Sequence, residues 1–186
     1  MRGIKRLFRI LVFLVIIAGI IGFVSHKYIL KNMFPIDYEE YVYYHSLEYG
    51  LDPMMVFSVI RVESNFKYKA KSHKSATGLM QIMPETGKWI AEQVGIEDFK
   101  EEDLNDPETS IMLGCWYLNN LKQEFGDMDL VLAAYNAGRG NVNNWLKDYQ
   151  YSDDGIELKE IPFKETREYI IKVNLSYRIY KYLYME

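Results

Sequence analysis

The sequence predicts an all-α protein, and three features of the chain support this fold class. From Asp37 onward, apolar residues recur at helical spacing, without the strict apolar–polar alternation expected of a strand. Asp-Pro pairs at 52–53 and 106–107 each place an N-cap residue before a proline, which suits the first helical position. Glycines follow three of the periodic segments and predict where these helices end: Gly50, Gly95 and Gly126.

The first segment of the chain is a long apolar run. Residues 10–24 read ILVFLVIIAGIIGFV and contain no charge or strongly hydrogen-bonding side chain. Leu7 and Phe8 extend the run if Arg9 snorkels toward the lipid headgroups. At a helical rise of ~1.5 Å per residue, residues 7–24 span about 27 Å, close to the ~30 Å hydrocarbon core of a bilayer. We therefore expect a single-pass lipid-bilayer anchor at residues 7–24.

Charges on the two sides of this run predict its orientation. An acidic region follows the run, and four cations precede it: Arg2, Lys5, Arg6 and Arg9. By the positive-inside rule, we expect the N-terminus in the cytoplasm and the rest of the chain outside the cytoplasm, at the cell membrane. Residues 1–31 then hold the cations, the anchor and the start of a short tether (25–36), and residues 32–186 form the exported body.

A cleaved signal peptide is the alternative for this N-terminal run, because the length of the run is also compatible with export and removal. A signal peptide needs a small-x-small cleavage site, and residues 22–26, GFVSH, offer only a poor one. Burial of the run inside a soluble core is a third possibility.

Composition excludes several function classes. The 186 residues carry a net charge of −4, but all 26 acidic and only 16 of the 22 basic residues fall in 32–186, which gives that region a charge of −10. Nucleic-acid binding needs clustered Lys and Arg, so we exclude it as the main function. A single cysteine, Cys115, excludes an internal disulfide and multi-cysteine metal sites. Because His26, His45 and His73 show no ligand spacing, we expect no metal or cofactor.

The body is predicted to contain seven helical segments. An aromatic amphipathic segment covers 37–49, and the segment at 54–62 is apolar on nearly every side, which indicates a central buried helix. Polar or surface loops are expected at 64–77 and 150–163, and the Gly138–Gly140 pair is expected to break a helix. The other helices are predicted from Pro84 to Gly95, from Asp106 to Gly126, and over 129–135, 141–149 and 165–185.

Glu63 is the first candidate for chemistry, because it ends the most apolar helical segment. A carboxyl group at that position is partly desolvated and faces the negative end of the helix dipole. Both effects favour the neutral form, which a general acid requires near neutral pH. The alternative is a solvated helix-end glutamate paired with Arg61 or Lys67.

Three further segments carry candidate binding residues. The sequence GLMQ at 78–81 combines a glycine that permits a tight turn with an amide that can both donate and accept hydrogen bonds. In AYNAG at 134–138, small residues surround a Tyr–Asn pair that could project into a cleft. Tyr169 lies in ETREYIIKV at 165–173. Taken singly, the first two also fit ordinary helix junctions, and the tyrosine also fits core packing.

The order of these motifs resembles that of the transglycosylase SLT family, the soluble-lytic-transglycosylase type of enzyme that cleaves peptidoglycan. The resemblance runs from about residue 40 to 183. The segments that carry it follow one another in the family's order: Glu63-Ser64-x-Phe66, GLMQ with Pro84 and Thr86, AYNAG, and ETREYIIKV. It implies a lysozyme-like helical fold with a substrate cleft.

The resemblance also implies roles for particular residues. Glu63 is implied to be the single catalytic residue, first as acid and later as base. Six residues are implied to line the sugar subsites: Ser64, Met80, Gln81, Tyr135, Asn136 and Tyr169. Ser72 falls where many members have a serine and is a weaker candidate. Ser75 stands where the family frequently has glycine, which leaves the geometry of this loop open.

The implied reaction cleaves the MurNAc-β-1,4-GlcNAc bond of peptidoglycan glycan strands without water and leaves 1,6-anhydroMurNAc ends. Two carboxyl groups are usual in glycoside hydrolysis, and we expect no second one near Glu63, since Glu165 and Glu168 belong to the far terminal helix. The muramyl acetamido group would therefore stabilise the positive charge at C1. We also expect a monomer that needs no cofactor. The alternatives are a goose-type-lysozyme-like muramidase and a non-catalytic glycan-binding protein.

Overall fold

Eight α-helices and one short 3₁₀ helix form the part of the chain that the structure, a computed structural model, describes: residues 2–185, without the side chains of 2–8, 23 and 24. Strands are absent from this part, which has only isolated bridges at Thr77, and the predicted all-α class is confirmed. The helices are α1 Arg2–Met33, α2 Glu39–Glu48, α3 Pro53–Glu63, α4 Pro84–Val94, the 3₁₀ helix Glu101–Asn105, α5 Pro107–Phe125, α6 Met128–Ala137, α7 Arg139–Lys147 and α8 Lys164–Tyr184.

The predicted helix-start signals are confirmed by their hydrogen bonds. The Asp52 carboxylate accepts a hydrogen bond of 2.8 Å from the Met54 N–H, and Asp106 accepts one of 2.9 Å from the Thr109 N–H. Each of these aspartates precedes a proline at the first helical position. Side-chain capping of this kind satisfies amide groups that have no partner within the helix.

Two local predictions differ from the structure. Gly138 alone, with φ of 94°, separates α6 from α7, whereas Gly140 lies inside α7, which runs from Arg139 to Lys147 rather than over 141–149. The 3₁₀ helix was not predicted, because its sequence, EEDLN, has only one apolar residue and therefore no periodicity. Leu104, the apolar residue, is fully buried.

The centre of the body is the pair formed by α3 and α8, the two helices with the most extensive mutual packing. Every α3 residue from Met54 to Ile60 is buried, as its uniformly apolar sequence predicts. Tyr180 of α8 stacks on Phe57 of α3, with 5.7 Å between ring centroids. The long helix α5 packs against α2, α4 and α6 and completes the core.

Hydrogen bonds from α8 hold the residues that follow helix α1. It continues to Met33, and the next two residues are held by α8, because the Tyr184 hydroxyl donates to the Phe34 carbonyl and the Tyr180 hydroxyl to the Pro35 carbonyl, each at 2.8 Å. The Phe34 side chain is 7% exposed. We call these four residues, Phe34, Pro35, Tyr180 and Tyr184, the clasp. The predicted tether at 25–36 is therefore helical over most of its length and docked at its end.

The outer part of α1 is long and apolar enough to cross a membrane, over Arg9–Met33. Its large apolar side chains from Ile10 to Ile16, and at Ile20 and Ile21, are exposed and pack against nothing in the body. The side chains of the predicted cations Arg2, Lys5 and Arg6, and those of Leu7 and Phe8 in the predicted anchor, lie outside the described residues.

Alanine substitution of three glycines should give a graded series of stabilities. A Cβ at Gly78 (φ 84°) would lie 1.9 Å from the Leu104 carbonyl oxygen, so we expect Gly78→Ala to cost more than ~3 kcal/mol. Gly138 has φ of 94°, and a Cβ there would meet no atom within 4 Å, so backbone strain alone should cost about 2 kcal/mol. Gly140 has open space and an ordinary helical backbone, and its substitution should stabilise by ~0.5–1 kcal/mol.

Urea-unfolding free energies of the three purified variants and the parent protein measure this series. Equal effects at Gly78 and Gly140 would show that the close backbone approach at Gly78 does not limit the fold.

Candidate active site

Glu63 is the last residue of α3, and the chain turns sharply after it. Ser64 caps the helix, with its hydroxyl donating to the Ile60 carbonyl at 3.1 Å. Asn65 and Phe66 both adopt left-handed backbone angles, with φ of 49° and 62°. Consecutive left-handed residues other than glycine are costly, and such conformations concentrate at functional sites. This turn ends the helix at the carboxyl group and keeps Glu63 at the boundary of the core.

The environment of Glu63 favours the neutral carboxylic acid. Burial raises the pKa of Glu63 to about 7, and a hydrogen-bonding interaction with the Tyr169 hydroxyl opposes this rise. The alternative partner Arg61 is engaged elsewhere, because it donates to the Asn65 side chain at 3.0 Å and lies 4.0 Å above the Phe34 ring. In the described part of the chain, no ion pair joins Glu63 to Arg61 or Lys67, the pairing that the sequence left open.

Two tyrosines lie near this carboxyl group, the buried Tyr169 and the half-buried Tyr135. The pKa of Tyr169 is raised well above its ordinary value by burial and by the nearby Glu63, and the same two causes raise the pKa of Tyr135. The Tyr135 hydroxyl donates to the Met80 carbonyl at 2.7 Å. The buried Tyr169 hydroxyl forms no hydrogen bond of standard geometry with any described residue, so its interaction with Glu63 is a weak one. Both phenols therefore remain neutral hydrogen-bond donors beside the acid.

The GLMQ segment forms a tight corner. Thr77 and Ile82 exchange two backbone hydrogen bonds of 3.0 and 3.1 Å around it, and Gln81 adopts a left-handed backbone with φ of 48°. The Gln81 side-chain amide donates to the carbonyls of Gly78 and Ala70, at 2.9 and 3.0 Å. Because these bonds use the NH₂ group, the side-chain oxygen of Gln81 is left as an acceptor for a ligand.

Asn136 connects the AYNAG segment to the start of α8. Its side-chain oxygen accepts a hydrogen bond of 2.9 Å from the Thr166 hydroxyl. This bond orients the amide, so the NH₂ group of Asn136 remains available as a donor. Gln81 and Asn136 therefore present opposite hydrogen-bonding groups, an acceptor and a donor, in the same region.

Glu63 opens into a cavity of about 300 Å³. The residues that line it come from α3, the GLMQ corner and its preceding loop, α6 and α8: Glu63, Ser72, His73, Lys74, Ala76, Gln81, Met83, Tyr135, Asn136 and Glu165. The structure thus brings five of the sequence-predicted site residues together in one cavity: Glu63, Ser72, Gln81, Tyr135 and Asn136. Tyr169 interacts with Glu63 from a buried position without lining the cavity.

Besides Tyr169, two more of the predicted site residues do not line this cavity. Met80 is fully buried, and its side chain lies so close to Gly114 that a Cβ there would be 2.2 Å from the sulfur. Ser64 is buried and uses its hydroxyl to cap α3. In this structure the roles of both residues are local, since Met80 supplies a carbonyl to Tyr135. Met83, three residues later and 40% exposed, lines the cavity instead.

The loop before GLMQ contains a serine in a conformation that favours glycine. Ser75 has φ of 67°, the left-handed conformation that glycine adopts at least cost. The Ser72 hydroxyl accepts hydrogen bonds from the N–H groups of Lys74 and Ala76, at 3.2 and 3.0 Å. Ser72 therefore shapes the loop from a position on the cavity wall.

Glu165 corrects the expectation that no second carboxyl group lies near Glu63. It belongs to the first turn of α8, lines the same cavity and is exposed. Its place in the sequence gave no signal, because only the packing of α8 on α3 brings position 165 to the cleft. The two carboxyl groups differ in environment, since Glu63 is desolvated and Glu165 faces water.

No cluster of three or more His, Cys, Asp or Glu side chains suited to a metal occurs among the described residues.

Comparisons with known proteins agree with this arrangement. The family model described as "Transglycosylase SLT domain" matches residues 40–157. The soluble lytic murein transglycosylase of Salmonella typhimurium is 36% identical over 154 residues, which cover 81% of this chain and 24% of the relative. The membrane-bound lytic murein transglycosylase C of Salmonella arizonae is 28% identical over 163 residues, 73% of this chain and 44% of that protein.

Solved structures show the same similarity. An inactive mutant of the lytic transglycosylase Slt from Pseudomonas aeruginosa aligns with a TM-score of 0.72 at 36% identity, over 83% of this chain and 25% of that one. The 70-kDa soluble lytic transglycosylase from Escherichia coli aligns with a TM-score of 0.74 at 32% identity, over 84% and 26% of the two chains. The chain spans about a quarter of the length of its first curated relatives. The family match covers more than half of the chain, and the protein belongs to the transglycosylase SLT domain family.

Proposed function

We propose that this protein is a membrane-anchored peptidoglycan lytic transglycosylase. The observation that carries the proposal is the Glu63 carboxyl at the wall of a cleft, whose pKa burial raises to about 7. Relatives named as lytic murein transglycosylases support the reaction class. A solved complex of the 70-kDa soluble lytic transglycosylase with bulgecin A, which aligns at a TM-score of 0.75, supports a ligand-binding role for this type of cleft.

The proposed reaction uses Glu63 twice. As an acid, Glu63 protonates the glycosidic oxygen between MurNAc and GlcNAc, so that the bond to C1 breaks and GlcNAc leaves with a free 4-hydroxyl. The carbonyl oxygen of the muramyl acetamido group bonds to C1 in the same step, as in substrate-assisted glycosidases. The Glu63 carboxylate then takes the proton of the C6 hydroxyl, whose oxygen displaces the acetamido oxygen at C1. The product is a 1,6-anhydro ring, no water is consumed, and Glu63 is protonated again.

The neighbours of Glu63 suit this sequence of steps. Burial makes the carboxyl a proton donor at neutral pH, and the Tyr169 phenol can stabilise the carboxylate after the first transfer. The Gln81 oxygen and the Asn136 NH₂ group are placed to bind the amide groups and hydroxyls of the sugars. The roles of Gln81 and Asn136 rest on groups that the fold leaves without a hydrogen-bond partner in the described part of the chain.

A muramidase that uses water is the second candidate, and Glu165 is the observation that favours it. Glu165 lines the same cavity as Glu63 and is exposed to solvent. A hydrolase with two carboxyl groups needs one that stays ionised to activate water or attack C1. Glu165 could fill that role, whereas transglycosylation needs only Glu63. The two reactions give different products, so one experiment separates them.

Anchoring in the membrane is a further part of the proposal. Residues Arg9–Met33 form a helix of sufficient length and apolarity, and the apolar side chains it exposes have no partner in the body. Relatives named as membrane-bound transglycosylases support this location. We propose that the N-terminus lies in the cytoplasm and the body outside it, because cations precede the span and the body is acidic.

Glu63→Gln should abolish cleavage while the protein stays folded. The amide fills the same volume but cannot donate the proton, so we expect a loss of about 10³-fold or more in the rate of cleavage of isolated sacculi. Circular dichroism and unfolding midpoints check the fold. Glu165→Gln is the matched control and should retain the anhydro product.

Mass spectrometry of the released muropeptides decides between the two reactions. AnhydroMurNAc ends support transglycosylation, and reducing ends that carry one more water would assign the protein as a muramidase. Parent-level turnover by Glu63→Gln would contradict the single-acid mechanism.

The pH dependence of cleavage should follow the protonation of Glu63. Because the acid must start protonated, kcat/KM should fall as pH rises above about 7. Tyr169→Phe removes the interaction that lowers the pKa of Glu63, so the alkaline limb should move to higher pH. If the alkaline limb of Tyr169→Phe lies at the same pH as that of the parent, Tyr169 does not control the pKa of Glu63.

Stability should also depend on pH through Glu63. The folded-state pKa of about 7 lies above the ordinary value of 4.5, so between these pH values the folded protein keeps a proton that the unfolded chain releases. Unfolding free energy therefore decreases as pH rises from 4.5 to about 7, by roughly 3.5 kcal/mol at ~1.4 kcal/mol per pKa unit. Well above pH 7 the unfolding free energy has lost this whole contribution from Glu63.

Glu63→Gln provides the comparison for this linkage, because the amide does not titrate. Its unfolding free energy minus that of the parent should increase between pH 4.5 and 7.5. A difference that is constant over this range would show that Glu63 titrates normally.

Charges placed in α1 should release the protein from membranes. A double substitution, Ile16→Arg with Ile20→Arg, adds ~2.5–3.5 kcal/mol per residue to the cost of membrane insertion. We expect the parent protein to remain in the membrane fraction after alkaline carbonate washing and the double variant to become extractable. Ile171→Arg is a matched control, because this exposed apolar residue lies on α8. A processed parent protein that begins after residue 24 would contradict the anchor.

A further inference from the structure

A separate cavity, of about 330 Å³, lies where α3 and α8 meet the residue that follows α1. It shares no lining residue with the Glu63 cavity. Its walls come from the clasp, from the end of α3 with the turn that follows, and from one face of α8: Phe34, Arg61, Val62, Asn65, Lys172, Leu175 and Ser176. We call it the clasp cavity. None of these lining residues is acidic, although the body as a whole is acidic.

Arg61 and Asn65 supply hydrogen-bond donors to the clasp cavity. Arg61 donates through Nη1 to the Asn65 side-chain oxygen at 3.0 Å, and no acidic group pairs with it among the described residues. Because this bond uses the oxygen, the Asn65 NH₂ group and the remaining N–H groups of Arg61 are available to a ligand. The Phe34 ring, whose centre lies 4.0 Å from the guanidinium, holds Arg61 in place.

Lys172 and Ser176 lie one turn apart on α8 and line the same cavity. Lys172 has no ion-pair partner in the described part of the chain, and Glu168, one turn before it, pairs with Lys164 at 3.7 Å. Ser176 is only 6% exposed, yet its hydroxyl has no hydrogen-bond partner among the described residues. A buried hydroxyl without a partner costs free energy, which a ligand in the cavity would recover.

The chemistry of these groups selects the ligand. Two cations, an amide and a hydroxyl that all offer protons to one cavity favour an anion with several acceptor oxygens, such as a phosphate group. Arginine in particular suits phosphate, because its N–H groups match the geometry of the oxygens. Leu175, 57% exposed in the cavity wall, adds an apolar surface beside the charges. A phosphate joined to an apolar part matches both features.

The position of the clasp cavity relative to α1 identifies the source of such a ligand. Phe34, in the cavity wall, directly follows Met33, where the candidate span ends. Counted from Arg9, about 20 helical residues cross the ~30 Å hydrocarbon core, and the headgroup layer of ~5–7 Å takes roughly the next four. The helix therefore leaves the headgroup layer near Met33, beside the cavity.

We propose that the clasp cavity binds the phosphate group of an anionic phospholipid in the leaflet from which α1 emerges. This inference rests on the membrane anchor of the proposed function and is independent of the reaction at Glu63. Arg61, Asn65, Lys172 and Ser176 contact the phosphate oxygens, and Leu175 contacts the start of the acyl chains.

A bound headgroup would give the body a second attachment to the membrane. It joins the turn after α3 to α8, next to the clasp that already connects α8 to the end of α1. Val62, in the wall of the cavity, precedes Glu63, so the attachment lies on the same helix end as the acid. An anionic lipid thereby holds the catalytic body against the bilayer surface.

Native mass spectrometry of the full-length protein tests this site. The protein is released from micelles of an uncharged detergent that contain equal amounts of phosphatidylglycerol and phosphatidylcholine, and the lipids that stay bound are counted. Phosphatidylglycerol should be retained in preference to phosphatidylcholine. Lys172→Gln should weaken the apparent affinity for phosphatidylglycerol about fivefold, because a basic residue near an anionic lipid surface contributes ~1 kcal/mol.

Ser176→Ala separates a ligand contact from a packing role. The variant should also bind phosphatidylglycerol more weakly, while its unfolding free energy stays at the parent value or increases, because the hydroxyl that is removed has no partner in the fold. Parent-level lipid affinity in this variant would remove Ser176 from the site and contradict the proposed contact.

Lys181→Gln is the matched control for Lys172→Gln. Lys181 is an exposed lysine of the same helix, its ammonium lies over the Tyr177 ring, and it does not line the clasp cavity. Its loss should change the lipid affinity less than twofold. Equal losses in the two lysine variants would show a general attraction between charges, and no loss in Lys172→Gln would show no attraction at all. Either result would overturn the site.

Soluble competitors identify the source of the anion. Inorganic phosphate in large molar excess should leave phosphatidylglycerol bound, because it lacks the apolar part of the lipid. Displacement by phosphate would assign the cavity to a free anion, and displacement by soluble muropeptides would assign it to the carboxylates of the wall. Both outcomes contradict a lipid ligand.

Failure of the anchor is a different result. A parent protein that alkaline carbonate extracts from membranes would contradict the proposed location, whereas the lipid counts in detergent still decide whether the clasp cavity binds an anionic headgroup.

Discussion

The site depends on one constraint: a carboxyl group must be largely shielded from water at the end of a helix. Glu63 satisfies it because α3 is buried on all sides over the seven residues from Met54 to Ile60, and because the chain turns away immediately afterwards through two left-handed residues. Burial of this kind costs far more free energy for a charged carboxylate than for a neutral acid. The folded state is therefore arranged to hold a proton, and Tyr169 limits how firmly it is held.

The opposite wall of the cleft depends on the close approach of backbone segments. Gly78 faces the Leu104 carbonyl, and Gly114 allows the Met80 side chain to lie directly on α5. With Met80 in that position, its carbonyl meets the Tyr135 hydroxyl, and the left-handed Gln81 turns its side chain back over the corner. Packing beneath the corner thus fixes the polar groups above it, which explains why a motif of four residues includes members that never reach the cleft.

Local signals in the sequence were sufficient for most of the helices and for the apolar surroundings of Glu63. The Asp-Pro pairs, the glycine stops and the uniformly apolar segment before Glu63 act within a few residues, so they can be recognised without tertiary structure. The roles of Met83 and Glu165 could not be predicted this way, because their presence in the cleft depends on how α4 and α8 pack. The side chains of Met80 and Ser64 are buried and do not line the cavity, and the sequence could not show this because a motif position does not say which way a side chain points. The clasp likewise joins residues about 145 to 150 positions apart.

The clasp has a mechanical consequence. A membrane span followed by a flexible linker would leave a domain free to rotate. Here the carbonyls of Phe34 and Pro35 accept hydrogen bonds from the same helix that carries Tyr169. With α1 in a bilayer, as proposed above, these hydrogen bonds would couple the orientation of the body to that of the helix. Helix tilt adjusts to hydrocarbon thickness. The direction in which the cleft faces would then depend on the lipid composition.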